Sequence, residues 1–310
     1  MADLQNPIFH DDDKARAWME ARMWPNGPVC PHCGTENEST KLAGKAHRPG
    51  VYQCNPCRKQ FSVTVGSLFE RSKIPLSKWL MATYLLCESK KGMSTRQLSR
   101  MLGVSVKSTW FMTHRIRESM RDSDLSPFGS GGGAVEVDET FIGRKQGKPT
   151  RHGYEHKHKV LALVDRNTGK ARSMVIDNLN TRTIRPIVRQ NVSREARLMT
   201  DEARHYIRVG REFADHQSVR HSTGEYVRGD AYTNTIEGYF SIFKRGMKGI
   251  YQHCGERHLP RYLAEFDFRY NSRDVSDMER AAKAVVGAQQ KRLTYRRPRS
   301  GGSPETSLHA

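Results

Sequence analysis

The sequence predicts a multi-domain α+β chain, and three observations predict it. Two C-x-x-C pairs stand near the start, Cys30/Cys33 and Cys54/Cys57. A basic segment, residues 76–121, falls into three helix-like pieces. Beyond a Ser/Gly-rich stretch, alternating apolar runs read as strands with carboxylates in or just after them. At roughly 100–200 residues per domain, the length allows about two or three domains.

Residues 1–75 read as an N-terminal helix and a zinc ribbon. The cysteines are spaced C-x2-C-x20-C-x2-C, and thiolates two residues apart can reach one tetrahedral Zn²⁺. Gly34 after the second cysteine permits a tight turn, and Pro31 and Pro56 stiffen the loops. Short β-like pieces surround the pairs: KLAGKA, VYQC and KQFSVTV. With so little apolar sequence, one structural Zn²⁺ is expected to stand in for a core. His32 and His47 are bystanders on this reading. Cys87 lies on an apolar helix face and Cys254 in a loop.

Residues 76–121 hold nine basic and two acidic residues, a net +7. Pro75 opens a first helix. Ser94 caps a second over 95–102, which Gly103 ends, and Ser105 caps a third running to about Met120. Two helices about a glycine turn form the helix-turn-helix pattern. Lys107, Ser108, Thr109 and Arg115 are expected on or near the exposed side of its second helix, placed to contact DNA.

Residues 122–133, DSDLSPFGSGGG, read as a linker, and 134–286 as one catalytic domain. AVEVDETFIG is a strand carrying Asp138; a hairpin turns at 167–169; 181–192 is helical; and 197–200 is a short strand ending at Asp201. Three antiparallel strands, a helix and another strand suggest a ribonuclease H-like mixed sheet. A later helix supplies Glu237, with Lys244 seven residues on, about 10.5 Å along the axis. Three such carboxylates can hold two Mg²⁺ (or Mn²⁺) ions about 3.5–4 Å apart for phosphoryl transfer, and a lysine can hold a DNA backbone. Residue types alone leave Glu136, Glu139 and Glu202 open as rivals. Residues 287–310 read as a basic, disordered tail.

The formal net charge is +19, which suits a polyanionic partner. No run nears the roughly 18 apolar residues of a membrane span. The opening MADLQNPIFHDDD has no basic or apolar signal region. Membrane, secreted and collagen-like classes are excluded on this reading.

Several motifs then carry a specific resemblance. They are WPNGPVCPHCG, YQCNPCRKQFSVTVGSLFERSKIPL, STRQLSRMLGVSVKSTWFMTHRIR, VEVDETFIG, LMTDEARHY, HQSVRHSTGEYVRGDAYTNTIEGYFSIFKRGMKGIY and HLPRYLAEFDFRYNSR. In this order, over about residues 17–275, the chain resembles insertion-sequence transposases of the DDE superfamily, in the zinc-ribbon-bearing group (the IS1595 or ISXO2-like kind). The resemblance implies Asp138, Asp201 and Glu237 as catalytic Mg²⁺ ligands and Lys244 as their partner, with Arg245 and Lys248 beside it toward DNA. It implies binding of terminal inverted repeats, cleavage of the ends and joining of the 3′-hydroxyl to target DNA by a homo-oligomer, dimer or higher, in the cytoplasm at the nucleoid. His216 and His221 resemble a paired-histidine feature of the group. Tyr232 stands where relatives often carry His. A domesticated DNA-binding regulator or a structure-specific nuclease would carry much of the same sequence.

Overall fold

The computed structural model describes residues 4–150, 154–225 and 227–294. Its N-terminal body begins at α1, Asp12–Met23. The Asp11 side chain accepts hydrogen bonds from the Asp13 and Lys14 backbone N–H groups, and Asp12 and Asp13 occupy the positive first turn. Three short antiparallel strands follow: β1 Ser39–Lys41, β2 Tyr52–Cys54 and β3 Gln60–Phe61. The first strand is therefore Ser39–Lys41 rather than KLAGKA, whose glycine lies at φ +103° in a turn.

The metal does not replace a core here. Trp24, Tyr52 and Phe61 pack with ring centroids 5.6–5.7 Å apart. They join a continuous apolar cluster with α1 and three further helices, α2 Leu76–Glu88, α3 Thr95–Leu102 and α4 Val106–Ser119. Ser94 and Ser105 cap α3 and α4, and Gly103, at φ +61°, ends α3 in a left-handed conformation.

Beyond residue 133 lies a five-stranded mixed sheet. β4 Ala134–Ile142, β5 His158–Asp165 and β6 Ala171–Ile176 run antiparallel. α5 Thr181–Asn191 crosses over to β7 Arg197–Thr200, parallel to β4. α6 Arg204–Gly210 then leads to β8 Asp215–Ser218, parallel to β7. The spatial order is β6-β5-β4-β7-β8. Side chains alternate between the two faces as the pleat requires. Val135, Val137, Leu161 and Leu163 pack under α5 and α6. Val160, Ala162 and Val164 pack under α7 Asn234–Gly246 and α8 Leu259–Asn271. A two-stranded ribbon, β9 Val227–Arg228 and β10 Ala231–Tyr232, precedes α7.

Three sequence-based boundaries are corrected. Residues 122–133 are no loose linker: Phe128 is buried in the sheet's core and bridges to Val192, and Asp165 accepts a hydrogen bond from the Gly129 N–H. The segment 134–286 is not one domain. α9, Asp277–Val286, packs on α2, where Ala281, Ala284 and Val285 complete the N-terminal core. Residues 287–294 are not a disordered tail. Ala288 is buried, Gln289 bridges to Ser67, and Lys291 donates to the Glu118 and Arg121 carbonyls. The remainder of that tail, 295–310, lies outside the described residues.

The bodies meet where α4 crosses α8. Glu265, fully buried, accepts from Arg117 Nε at 2.6 Å and pairs with Arg269 and the Tyr251 hydroxyl.

Candidate active site

Two of the three carboxylates come together through sheet register. β4 and β7 pair in parallel with Val135 opposite Leu198 and Glu136 opposite Met199. Carried two residues further, that register sets Asp138 beside Asp201, just beyond the end of β7. Both are half-buried. Asp138 accepts a hydrogen bond from the Glu139 N–H at 2.7 Å, and Asp201 one from the Ala203 N–H at 3.0 Å.

Glu237 arrives on the first turn of α7. The tie that brings it there is Glu136, fully buried on the same strand face as Asp138. Its Oε2 accepts the Ile236 backbone N–H at 2.8 Å, and its Oε1 accepts Arg166 Nε at 2.7 Å. A helix N-terminus thus docks onto a carboxylate, as its unpaired N–H groups and dipole favour. Arg166 also donates to the Asp230 and Tyr232 carbonyls and stacks on the Tyr232 ring at 3.5 Å, which fastens the β9–β10 ribbon beside α7.

The rival carboxylates separate by their partners. Glu136 is consumed by the α7 tie. Glu139, on the opposite strand face, accepts the Tyr206 hydroxyl at 2.6 Å and lies 3.6 Å from His205 Nε2. Glu202 is exposed and accepts from the Ser222 N–H. Burial first, then the charges of Glu139, Asp201 and Glu237, push the Asp138 carboxyl up to about 8, and burial raises Asp201 as well. Negative charges crowded around Asp138 that disfavour its ionised form are the electrostatic setting a cation relieves.

The two histidines divide. His216 hydrogen-bonds Thr200, the residue before Asp201, and its ring lies against Gly210, where it leaves no room for a Cβ. It braces the end of β7. His221 lies beside Glu237, its Nε2 3.2 Å from Thr233 Oγ1 and 3.5 Å from Glu237 Oε1. Lys244 is half-buried two turns beyond Glu237, while Arg245 and Lys248 are exposed.

In the ribbon, Cys30 and Cys57 sulfurs are 3.7 Å apart and those of Cys33 and Cys54 3.5 Å; all four lie within 4.8 Å of one another. Four thiolates about 2.3 Å from a tetrahedral zinc would be about 3.8 Å apart, so the set fits one ion, and the spacing is far from the roughly 2.05 Å of a disulfide. Gly34 and Arg58 each follow a second cysteine at positive φ and donate their N–H to Cys30 and Cys54 carbonyls. Among the described residues, no other set of three or more ligand atoms is drawn so close.

Along α4, Lys107 and Ser108 are exposed. Thr109 and Arg115 are not on that face, a correction to the sequence reading. Thr109 is fully buried and donates to the Val104 carbonyl. Arg115 is half-buried and holds the Glu70 and Leu293 carbonyls.

A family profile described as "ISXO2-like transposase domain" matches residues 131–271, and one described as "Transposase zinc-ribbon domain" matches residues 10–60. The chain belongs to this family of insertion-sequence transposases. A curated relative, the "Uncharacterized protein in transposable element ISH50" of Halobacterium salinarum, is 29% identical over 277 residues, covering 84% of this chain and 91% of that protein. An "Uncharacterized transposase-like protein" of Haemophilus influenzae is 25% identical over 117 residues, 38% of this chain and 94% of that one. Among solved structures, a chain of a simian T-cell lymphotropic virus intasome in complex with PP2A regulatory subunit B56 gamma aligns with a TM-score of 0.30 at 10% identity, over 55% of this chain and 63% of that one.

The sequence reading named the carboxylates as candidates and did not single out Arg166, Tyr206 or Thr233, which contact Glu136, Glu139 and Glu237. None of these sits in a recognisable spacing. Their roles follow from contacts that span from 4 to 67 positions of the chain. No helix among the described residues is long and apolar enough to cross a membrane.

Proposed function

We propose that the chain cleaves the two ends of an insertion sequence and joins each freed 3′-hydroxyl to target DNA, using Asp138, Asp201 and Glu237 as Mg²⁺ ligands within a ribonuclease H-like domain. What supports this is that the β4–β7 register runs toward Asp138 and Asp201, while the Glu136–Ile236 bond holds the start of α7, which carries Glu237, against the same strand. The negative charge crowded around Asp138 supports the fit of divalent cations. When bound, two such ions supply charge neutralisation at the attacking and leaving oxygens. Asp138, whose carboxyl the charges of Asp201 and Glu237 both raise, would be one ligand of such an ion. His221 holds Glu237 toward Thr233. Lys244 lies along the same helix face and would grip a phosphate of the DNA end, with Arg245 and Lys248 extending that grip.

α3 and α4 form a helix-turn-helix on this reading. Lys107 and Ser108 at the exposed start of α4 meet the terminal repeat, and the zinc ribbon beside them adds to end recognition. Two ends require two catalytic sets, so the active form is a dimer or higher oligomer on DNA.

The test is purified chain, duplex DNA carrying the terminal repeats, target plasmid and Mg²⁺. End cleavage and joined products are expected. Asp138→Asn, Asp201→Asn and Glu237→Gln should each abolish both and keep end binding. Cleavage without joining would mark a nuclease, and end binding without either reaction would mark a regulator.

A further inference from the structure

α5 and α6 lie side by side over the sheet face opposite α7, and their outward sides carry arginine at helical spacing. Arg182, Arg185 and Arg189 follow i, i+3, i+7 on α5. Arg204, Arg208 and Arg211 follow i, i+4, i+7 along α6 and its cap. All six are exposed, while Ile184, Val188, Tyr206 and Val209 fill the core beneath.

An amphipathic helix needs a polar outer face, but not one of a single kind. Residues 181–211 contain no lysine. The acid on this face that meets arginine is Glu212, gripped by Arg185, Arg189 and Arg194 together. Three guanidinium groups on one carboxylate leave the cluster with an excess of two positive charges. Arg182, Arg204, Arg208 and Arg211 have no ion-pair partner among the described residues. Like charges gathered this way repel one another, and the fold beneath does not need them. Arg204 comes three residues after Asp201, so the face begins beside that carboxylate. Packed helices stand about 8–10 Å apart, which spreads the charge into two parallel rows.

We propose that this arginine face binds the phosphate backbone of a DNA duplex without reading its sequence, and that this duplex is the target. Planar guanidinium groups match phosphate oxygens two at a time. A duplex presents one negative charge about every 1.7 Å of axis, enough to engage both rows. An acidic protein fits less well, because the face offers no exposed aromatic anchor among the described residues, and a second copy of the chain would set these arginines against another strongly positive surface. Ile207 is exposed among the arginines, but a single exposed aliphatic is ordinary on any surface. The assignment as target duplex rests on the proposed function; binding of the backbone does not.

The test uses the full chain carrying Arg182→Gln, Arg208→Gln and Arg211→Gln, which leaves the Glu212 cluster whole. Binding to a random duplex without terminal repeats is followed by fluorescence anisotropy across about 50–200 mM salt. At about 0.9 units per lost phosphate contact, the log–log salt slope should become shallower by about 2–3 units. Joining to target DNA should fall at least about tenfold, with end cleavage at the wild-type rate. Unchanged affinity and slope would overturn the proposal. So would a variant that keeps its duplex binding and changes only its oligomeric state in light scattering. If the wild-type chain neither cleaves nor joins ends, the proposed function fails, and the anisotropy slope still decides the arginine face.

Discussion

Glu136 and Asp138 sit two residues apart on one strand face and should respond to loss of charge in opposite directions. Glu136→Gln keeps the shape of the side chain. Its amide, however, has one acceptor oxygen where the carboxylate offers two, and its NH₂ must face either Arg166 Nε or the Ile236 N–H, both donors. Hydrogen bonds to charged groups are worth about 1.5–3 kcal/mol. Arg166, with its side chain only 10% exposed, also loses its buried counter-charge. Breaking a buried pair costs about 3–5 kcal/mol, and Arg166 keeps the Asp230 and Tyr232 carbonyls, which places the loss near the low end, about 3 kcal/mol. At about 2–4 °C per kcal/mol, Tm should drop by roughly 6–12 °C. Asp138→Asn removes a charge that burial and three neighbouring carboxylates disfavour, so its Tm should equal or exceed that of the wild type. Differential scanning calorimetry of the full chain without Mg²⁺ makes the comparison. If Glu136→Gln melts within about 2 °C of wild type, or Asp138→Asn falls as far as Glu136→Gln, the division between a tying carboxylate and a working one is wrong.

Three further outcomes are expected. Cys30→Ser or Cys57→Ser should release stoichiometric zinc, measured by elemental analysis, and weaken binding to terminal repeats; full-length protein purified without zinc would contradict the site. His114 is fully buried with no hydrogen-bond partner for either ring nitrogen among the described residues, and burial pulls it down to about 2. The unfolded chain therefore takes up the proton first, near 6.5, and stability should fall as pH drops below that value, by at most about 1.4 kcal/mol per pH unit; His114→Phe should flatten the decline in urea midpoints between neutral and acidic pH. Lys107→Gln should lessen the salt slope of end binding by about 0.9, whereas Arg115→Gln should lower Tm and leave that slope unchanged, because Arg115 joins the Glu70 and Leu293 carbonyls.

What the sequence revealed was mostly local. Ser94, Gly103 and Ser105 bound α3 and α4 at the expected residues because caps act within one turn. The cysteine spacing was legible for the same reason, and Asp201 falls where the apolar run of β7 stops. What depends on distant partners was hidden. Thr109 and Arg115 have the character of exposed helix residues, and only the turn between α3 and α4 and the packing of Glu70 and Leu293 against α4 decide otherwise. Glu136 and Asp138 are equivalent in a strand pattern, and Arg166 and Ile236, 30 and 100 positions from Glu136, separate them. Phe128 sits in a stretch whose glycines and serines outweighed one buried ring.

The return of α9 to the N-terminal core has a consequence for synthesis. Domains tend to fold in the order in which they emerge, but here the first body stays unfinished until the sheet domain has already been made. A chain cut short before Asp277 leaves the α2 surface that Ala281, Ala284 and Val285 cover open to water. Such a fragment would be prone to aggregate or be degraded, and so poorly suited to occupy DNA ends in place of the whole protein. On the proposed function, recognition and chemistry would thereby be delivered together, and incomplete products would be removed from competition by the same contacts that stabilise the finished one.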